Sequence, residues 1–197
     1  MNGVIENETF NNLVSLLDLK GYEGLTTVET LINTNARYIK DLKINVSNVL
    51  NNAQALSKKE TILLAYAVAV NERNNLLKEA FVIKAEAAGI TQEELAEVIS
   101  LTSLMNVNNI YYRFRHFANK EFYNNQPAGI KMSIMAAPIL GREIFELISL
   151  TVSAINGCEL CVKSHESKLI NEGTSETKIL EAVKLGAVLK GLVTVLS

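Results

Sequence analysis

Gly89-Ile90-Thr91-Gln92-Glu93-Glu94 closes one helix and opens the next. Gly89 has no Cβ and suits the left-handed turn that stops a helix. Thr91 with Glu94 three positions later is a capping box, in which the hydroxyl and the carboxylate each take one of the backbone N–H groups left over at a helix start. The spacing predicts a helix from about Asn74 to Ala88 before this stretch and another to about Met105 after it. Further upstream, Ser57-Lys58-Lys59-Glu60 is a second capping box. It opens a helix through about Val70 whose body, Ile62 to Val70, is almost wholly apolar and therefore expected to be buried. The same order returns late in the chain: Arg142 to Ala154 is an apolar helix, Cys158 to Glu172 a second one stopped at Gly173, and Ser175 to Leu196 a third, capped by Thr174 or Ser175. A shift of 84 positions sets Gly173 on Gly89 and aligns the two groups of three helices without a gap. The expected fold is all-α with an internal repeat, its first unit at about 57–105 and its second at about 141–196.

The remainder fits this class. Residues 1–25 are Asn-rich and predict a helical arm around Leu13, Leu16, Leu17 and Leu19, closed by Gly21 and Gly24, ahead of a single domain over 26–197. Thr27 to Asn35 and Ala36 to Val49 carry apolar residues at helical spacing and predict two short helices. Between the repeated units, Asn108 to Phe117 is aromatic and basic, and Tyr123 to Gly129 is a polar connection. The aromatic residues are expected to pack a helix end while the arginines pair with carboxylates or with a neighbouring subunit, and His116 is expected to be structural. Two prolines, ten glycines and 48% hydrophobic residues in 197 favour helices over strands. A net charge of −2 and a pI near 5.8 leave no electrostatic footprint for nucleic acid. The polar, acidic first ten residues and the lack of a long apolar run predict a cytoplasmic protein with no membrane partner.

The only two cysteines and one of the two histidines lie together, as Cys158-Glu159-Leu160-Cys161 followed by His165. On a helix these fall at i, i+3 and i+7, on one face. Asn156-Gly157 reads as the turn before that helix, which would put Cys158 in its first turn, where the helix dipole favours a thiolate. Two thiols three residues apart cannot staple a domain of this size, and in a reducing compartment they point to redox chemistry or metal binding. Dithiol chemistry also needs a group that moves protons. The candidates are His165 and Glu146, a carboxylate among Phe145, Leu147 and Ile148 whose burial would be relieved by contact with the imidazole. The alternatives are a non-redox oligomeric protein with a buried, structural cysteine pair, or a zinc site at Cys158, Cys161, His165 and Glu146, although structural zinc usually draws on two separated ligand pairs. Glu159, Glu166, Lys163 and Lys168 read as solvated surface charges. In the first unit the places of Cys158, Cys161, His165 and Glu146 hold Asn74, Leu77, Phe81 and Ile62, so that copy is chemically silent.

Phe145-Glu146-Leu147, Val152-Ser153-Ala154-Ile155-Asn156-Gly157-Cys158, Cys161 and His165-Glu166 resemble the alkyl hydroperoxidase D family of the carboxymuconolactone decarboxylase-like superfamily. The resemblance extends upstream through Tyr38 to Lys43, Asn108 to Arg113 and Lys131 to Ile134, and so covers about 26–197. It implies an all-helical homotrimer in antioxidant defence, with no tightly bound cofactor. A dihydrolipoyl group on a 2-oxoacid dehydrogenase component would reduce the Cys158–Cys161 disulfide. The dithiol would in turn reduce a peroxiredoxin of the alkyl hydroperoxidase C type, and peroxides weakly. Carried over by position, Cys161 is the peroxidatic thiol, Cys158 the resolving thiol, and Glu146 with His165 the proton relay. Better-known members can carry a histidine between the cysteines where this chain has Leu160, which implies a more apolar site and slower direct peroxide reduction.

Overall fold

Ten α-helices and one 3-10 turn make up the fold of residues 7–197, the part described by the computed structural model. Helices α1 (Glu8–Leu17), α2 (Thr26–Asn33) and α3 (Tyr38–Asn51) precede the first unit, α4 (Lys58–Asn71), α5 (Asn75–Ala87) and α6 (Gln92–Ala118). A short α7 (Glu121–Asn125) and the 3-10 turn Ser133–Met135 lead to the second unit, α8 (Arg142–Ile155), α9 (Glu159–Asn171) and α10 (Glu176–Val195). Both capping boxes form, at Ser57 with Glu60 and at Thr91 with Glu94. The core is built on α4 and α8, which pack on each other and are enclosed by α6 and α10. Leu63, Leu64, Leu147 and Ile148 are wholly buried there, each contributing about 1.5–3 kcal/mol relative to an exposed side chain. Among the described residues no helix is long and apolar enough to cross a membrane.

The shift of 84 holds for helix boundaries as well as sequence: Lys58–Asn71 maps onto Arg142–Ile155, Asn75–Ala87 onto Glu159–Asn171, and the start of α6 onto the start of α10. The two units also hold each other reciprocally. Glu97 on α6 accepts from the backbone N–H of Ile139 and Leu140, at 2.8 and 2.6 Å, and so fixes the entry to α8. Its counterpart Glu181 on α10 accepts from the N–H of Gln54, Ala55 and Leu56, fixing the entry to α4. Lys59 pairs with Glu94 in the first unit, and at the same places Glu143 pairs with Lys178 in the second, with the charges exchanged. Where α10 crosses α8, a Cβ on Gly186 would stand 2.5 Å from the Thr151 methyl, so the close approach of these helices depends on glycine.

Helix α6 departs from the expected end near Met105 and runs on to Ala118, stopping at Asn119 in the left-handed region. No glycine or proline interrupts it. Asn109 donates its amide to Ser153 of α8, while Asn106 divides its amide between Asn71 of α4 and the Thr102 carbonyl one turn back in α6. The aromatic and basic stretch is thus the last three turns of a long helix. Of the expected N-terminal arm, residues 1–6 lie outside the described residues. From Glu8 onward it is a helix packed on α3 with Phe10, Leu13 and Leu17 in the common core.

Candidate active site

Cys158 is positioned by the end of α8. Gly157 turns left-handed at φ +70, Cys158 N–H donates to Ser153 C=O at 3.0 Å, and Gly157 N–H donates to Ala154 C=O at 3.2 Å. This is a Schellman termination, in which the residue two past the cap turns back onto the last helical turn. The same residue is then the N-cap of α9, with extended backbone and no side-chain capping hydrogen bond. The expectation that Cys158 lies in the first turn is therefore corrected: the turn holds it just outside, and Cys161 is the thiol position within the first turn. The silent unit has the same joint, with Arg73 at φ +57 and Asn74 as N-cap.

Asparagines secure the turn. The Asn156 amide donates to Asn109 Oδ1 at 2.9 Å and accepts from Asn71 Nδ2 at 3.1 Å, Asn109 donates to Ser153 Oγ, and Arg113 donates to the Asn156 carbonyl. Asn109 and Arg113 thus connect α6 to the loop that carries Cys158. The sequence marks these positions only through the resemblance over Asn108 to Arg113, and Arg113 meets a backbone carbonyl instead of the carboxylate or neighbouring subunit expected for the arginines.

Cys158 and Cys161 are joined as a disulfide, their Cα atoms 5.3 Å apart. Cys158 is wholly buried, whereas Cys161 lines a pocket of about 250 Å³ with Asn108, Tyr112, Met132, Met135, Leu160, Ser164, His165 and Lys168. Asn108 donates to Met132 Sδ at 3.4 Å, and its buried Oδ1 has no partner among the described residues. Leu160, at the place of the family's occasional histidine, forms part of the apolar wall.

His165 and Glu146 meet, as their burial required. The imidazole Nδ1–H donates to Glu146 Oε2 at 2.5 Å, and both side chains are about nine-tenths buried. Lys168 donates to Glu146 Oε1 at 3.0 Å. Burial pushes the Glu146 carboxyl up, but the His165 and Lys168 contacts together outweigh it and hold the group below the usual carboxylate range. Lys168 is therefore not a mere solubilising charge. It lies one turn beyond His165 on the face that carries Cys161, a spacing that marks it once Glu146 is known to fold back. His116 likewise has a partner, Glu159 at 3.3 Å, which also pairs with Lys163. Among the described residues no group of three or more His, Cys, Asp and Glu side chains is arranged to hold a metal ion.

The sequence profile described as the carboxymuconolactone decarboxylase family matches residues 123–196, the part of the chain holding α8 to α10. The alkyl hydroperoxide reductase AhpD of Coxiella burnetii is 41% identical over 160 residues, covering 80% of this chain and 90% of that protein. The proteins of the same name from Maricaulis maris and Solibacter usitatus are 37% and 36% identical, covering 87% and 86% of this chain and 98% and 94% of their own lengths. Similarity at this level, spanning nearly the whole of each relative and joined to an all-helical fold, places the chain in the alkyl hydroperoxide reductase AhpD family.

Proposed function

We propose that this protein is a thiol-dependent reductase of alkyl hydroperoxides and of disulfides in partner proteins, with Cys161 as the attacking thiol, Cys158 as the resolving thiol, and His165 with Glu146 as the proton relay. The observation that carries the reading is the asymmetry of the disulfide. One sulfur opens on a pocket shared with the Glu146-bound imidazole, and the other is closed off behind it. Cys161 also lies in the first turn of α9, where the helix dipole favours its thiolate.

The chemistry balances without a bound cofactor. His165 takes the Cys161 proton, and the thiolate attacks the distal peroxide oxygen. The O–O bond breaks, Cys161 becomes a sulfenic acid, and the alkoxide leaves as alcohol with the proton returned by the imidazolium. The Cys158 thiol then displaces water and forms the disulfide seen here. A dithiol donor restores both thiols by two exchange steps and is itself oxidised to a disulfide. A dihydrolipoyl group on a 2-oxoacid dehydrogenase component has the chain length and apolar character to enter a pocket walled by Leu160, Met132 and Met135. Exchange with an oxidised peroxiredoxin of the alkyl hydroperoxidase C type uses the same two sulfurs. The working assembly is a homotrimer in a reducing, cytoplasmic setting. A row of exposed apolar residues along α6, at Ile99, Val107, Ile110, Phe114 and Phe117, supports association between copies.

Single mutants test the assignment. Cys158→Ser should accumulate a sulfenic acid or mixed disulfide at Cys161, trapped by dimedone and located by mass spectrometry. Cys161→Ser should accumulate neither, and the reverse pattern would exchange the roles. If oxidation of the native protein never removes two protons, the dithiol mechanism fails.

A further inference from the structure

The Glu146 carboxylate has two oxygens and two basic partners: His165 on Oε2 at 2.5 Å and Lys168 on Oε1 at 3.0 Å. Cys161, His165 and Lys168 lie on one face of α9 and all line the pocket. In the silent unit the lysine is also present, as Lys84, but the place of Glu146 is Ile62, and Lys84 turns instead to Asp18 at 2.7 Å. A lysine common to both units has therefore been drawn to the active carboxylate in only one of them.

The charges decide what this does. With Glu146 anionic and Lys168 cationic, a neutral imidazole completes a group of zero net charge, and protonating it adds a second cation beside the ammonium. A carboxylate facing the histidine alone would hold the imidazolium more firmly. Other groups facing His165 do not replace this effect. Helix α6 presents Tyr112, the Ser133–Met135 region presents the uncharged Met132 and Met135, and α9 presents Cys161, here in the disulfide. On α8, Glu143 is engaged one turn away with Lys178 and Thr174.

We propose that Lys168 is a positioning residue of the relay: by sharing the Glu146 carboxylate with His165 it weakens the carboxylate's hold on an imidazolium and so favours His165 as acceptor of the thiol proton. The inference rests on the relay described under Proposed function. It assigns to Lys168 the task of keeping the relay's base available near neutral pH, rather than contact with the reacting atoms.

The test is a titration of His165 by NMR in the oxidised full-length protein, where no thiol titrates, with the two histidine signals assigned by a His116→Gln variant. Lys168→Met should raise the His165 pKa by about half a unit or more, roughly a threefold gain in proton affinity. Lys168→Arg should restore the wild-type value, and Glu146→Gln should lower it. In the reduced enzyme the acid limb of the pH–rate profile for Cys161 with peroxide should move to higher pH in Lys168→Met alone. If Glu146→Gln shifts the imidazole and Lys168→Met does not, the proposal is overturned and the relay stands. If Lys168→Arg shifts it as far as Lys168→Met, charge is not the cause and the proposal is again overturned. If none of the variants moves it, the relay itself falls with the proposal.

Discussion

Replacing Glu146 by Gln keeps the side chain's shape and removes its charge, which isolates the electrostatic part of the relay. In the native site the carboxylate accepts from His165 at 2.5 Å and from Lys168 at 3.0 Å. Gln can still accept from the imidazole, but its amide N–H groups then face the ammonium, so the lysine contact is lost. A hydrogen bond involving an ionised group contributes about 1.5–3 kcal/mol and a neutral one about 0.5–1.5. The difference, roughly 1–1.5 kcal/mol, corresponds to about one pKa unit in the imidazole. Because Lys168 is 44% exposed, losing its pair adds only about a further half unit. His165 becomes a weaker base by about tenfold or more, so the reaction of Cys161 with peroxide should slow by roughly that factor near neutral pH, and the thiol pKa should rise. Stopped-flow rates against pH would measure both, and an unchanged profile would remove Glu146 from the relay. Stability provides a second readout. The Glu146 carboxyl holds its proton less tightly in the folded protein than in the unfolded chain. Its contribution is therefore present above the unfolded value of about 4.3 and is lost as pH falls through the folded one. Glu146→Gln should lose less stability than wild type over that acid range.

Leu160→His should speed the peroxide reaction if a second imidazole in the pocket is what the chain lacks, and stopped-flow rates equal to wild type would show that the apolar wall is not limiting. Glu97→Ala should cost about 2–3 kcal/mol in urea unfolding, since it leaves the N–H of buried Leu140 unpaired. Glu181→Ala should cost less, because the hydrogen bonds of Glu181 are more exposed than those of buried Glu97, and equal losses would contradict that ordering. Gly186→Ala should destabilise by about 1–3 kcal/mol from the 2.5 Å clash with Thr151, partly recovered by Thr151→Ala. A thermal midpoint unchanged by Gly186→Ala would mean that α8 and α10 separate without strain.

The parts of the fold that could be read from sequence are those decided within a turn or two of the chain. The capping boxes at Ser57 and Thr91 and the stops at Gly89 and Gly173 satisfy backbone groups locally, so residue identity suffices. The end of α6 could not be read this way. Asn106 and Asn109 find partners on α4 and α8, at Asn71 and Ser153, which no local pattern reveals. At the site, Cys158, Cys161 and His165 were marked by rarity and spacing, and Glu146 by the cost of burying an unpaired charge. Lys168 has no such mark, since a lysine on a helix surface has the same composition whether it points to water or to a carboxylate 22 positions earlier.

Matching Glu97 with Glu181 by the shift of 84 identifies one residue type at equivalent places, and the structure gives both the same task on the opposite unit. Each unit thus depends on the other for the entry to its first helix. The exchange of charge between Lys59–Glu94 and Glu143–Lys178 shows that the pairing is kept while its members are free to swap. At the second joint Cys158 stands at the place of Asn74 and Glu146 at that of Ile62, so the proposed dithiol and relay sit on a turn that the first unit also forms. There the Schellman turn and the asparagine network fix the backbone at Cys158 by hydrogen bonds within α8 and from α4 and α6.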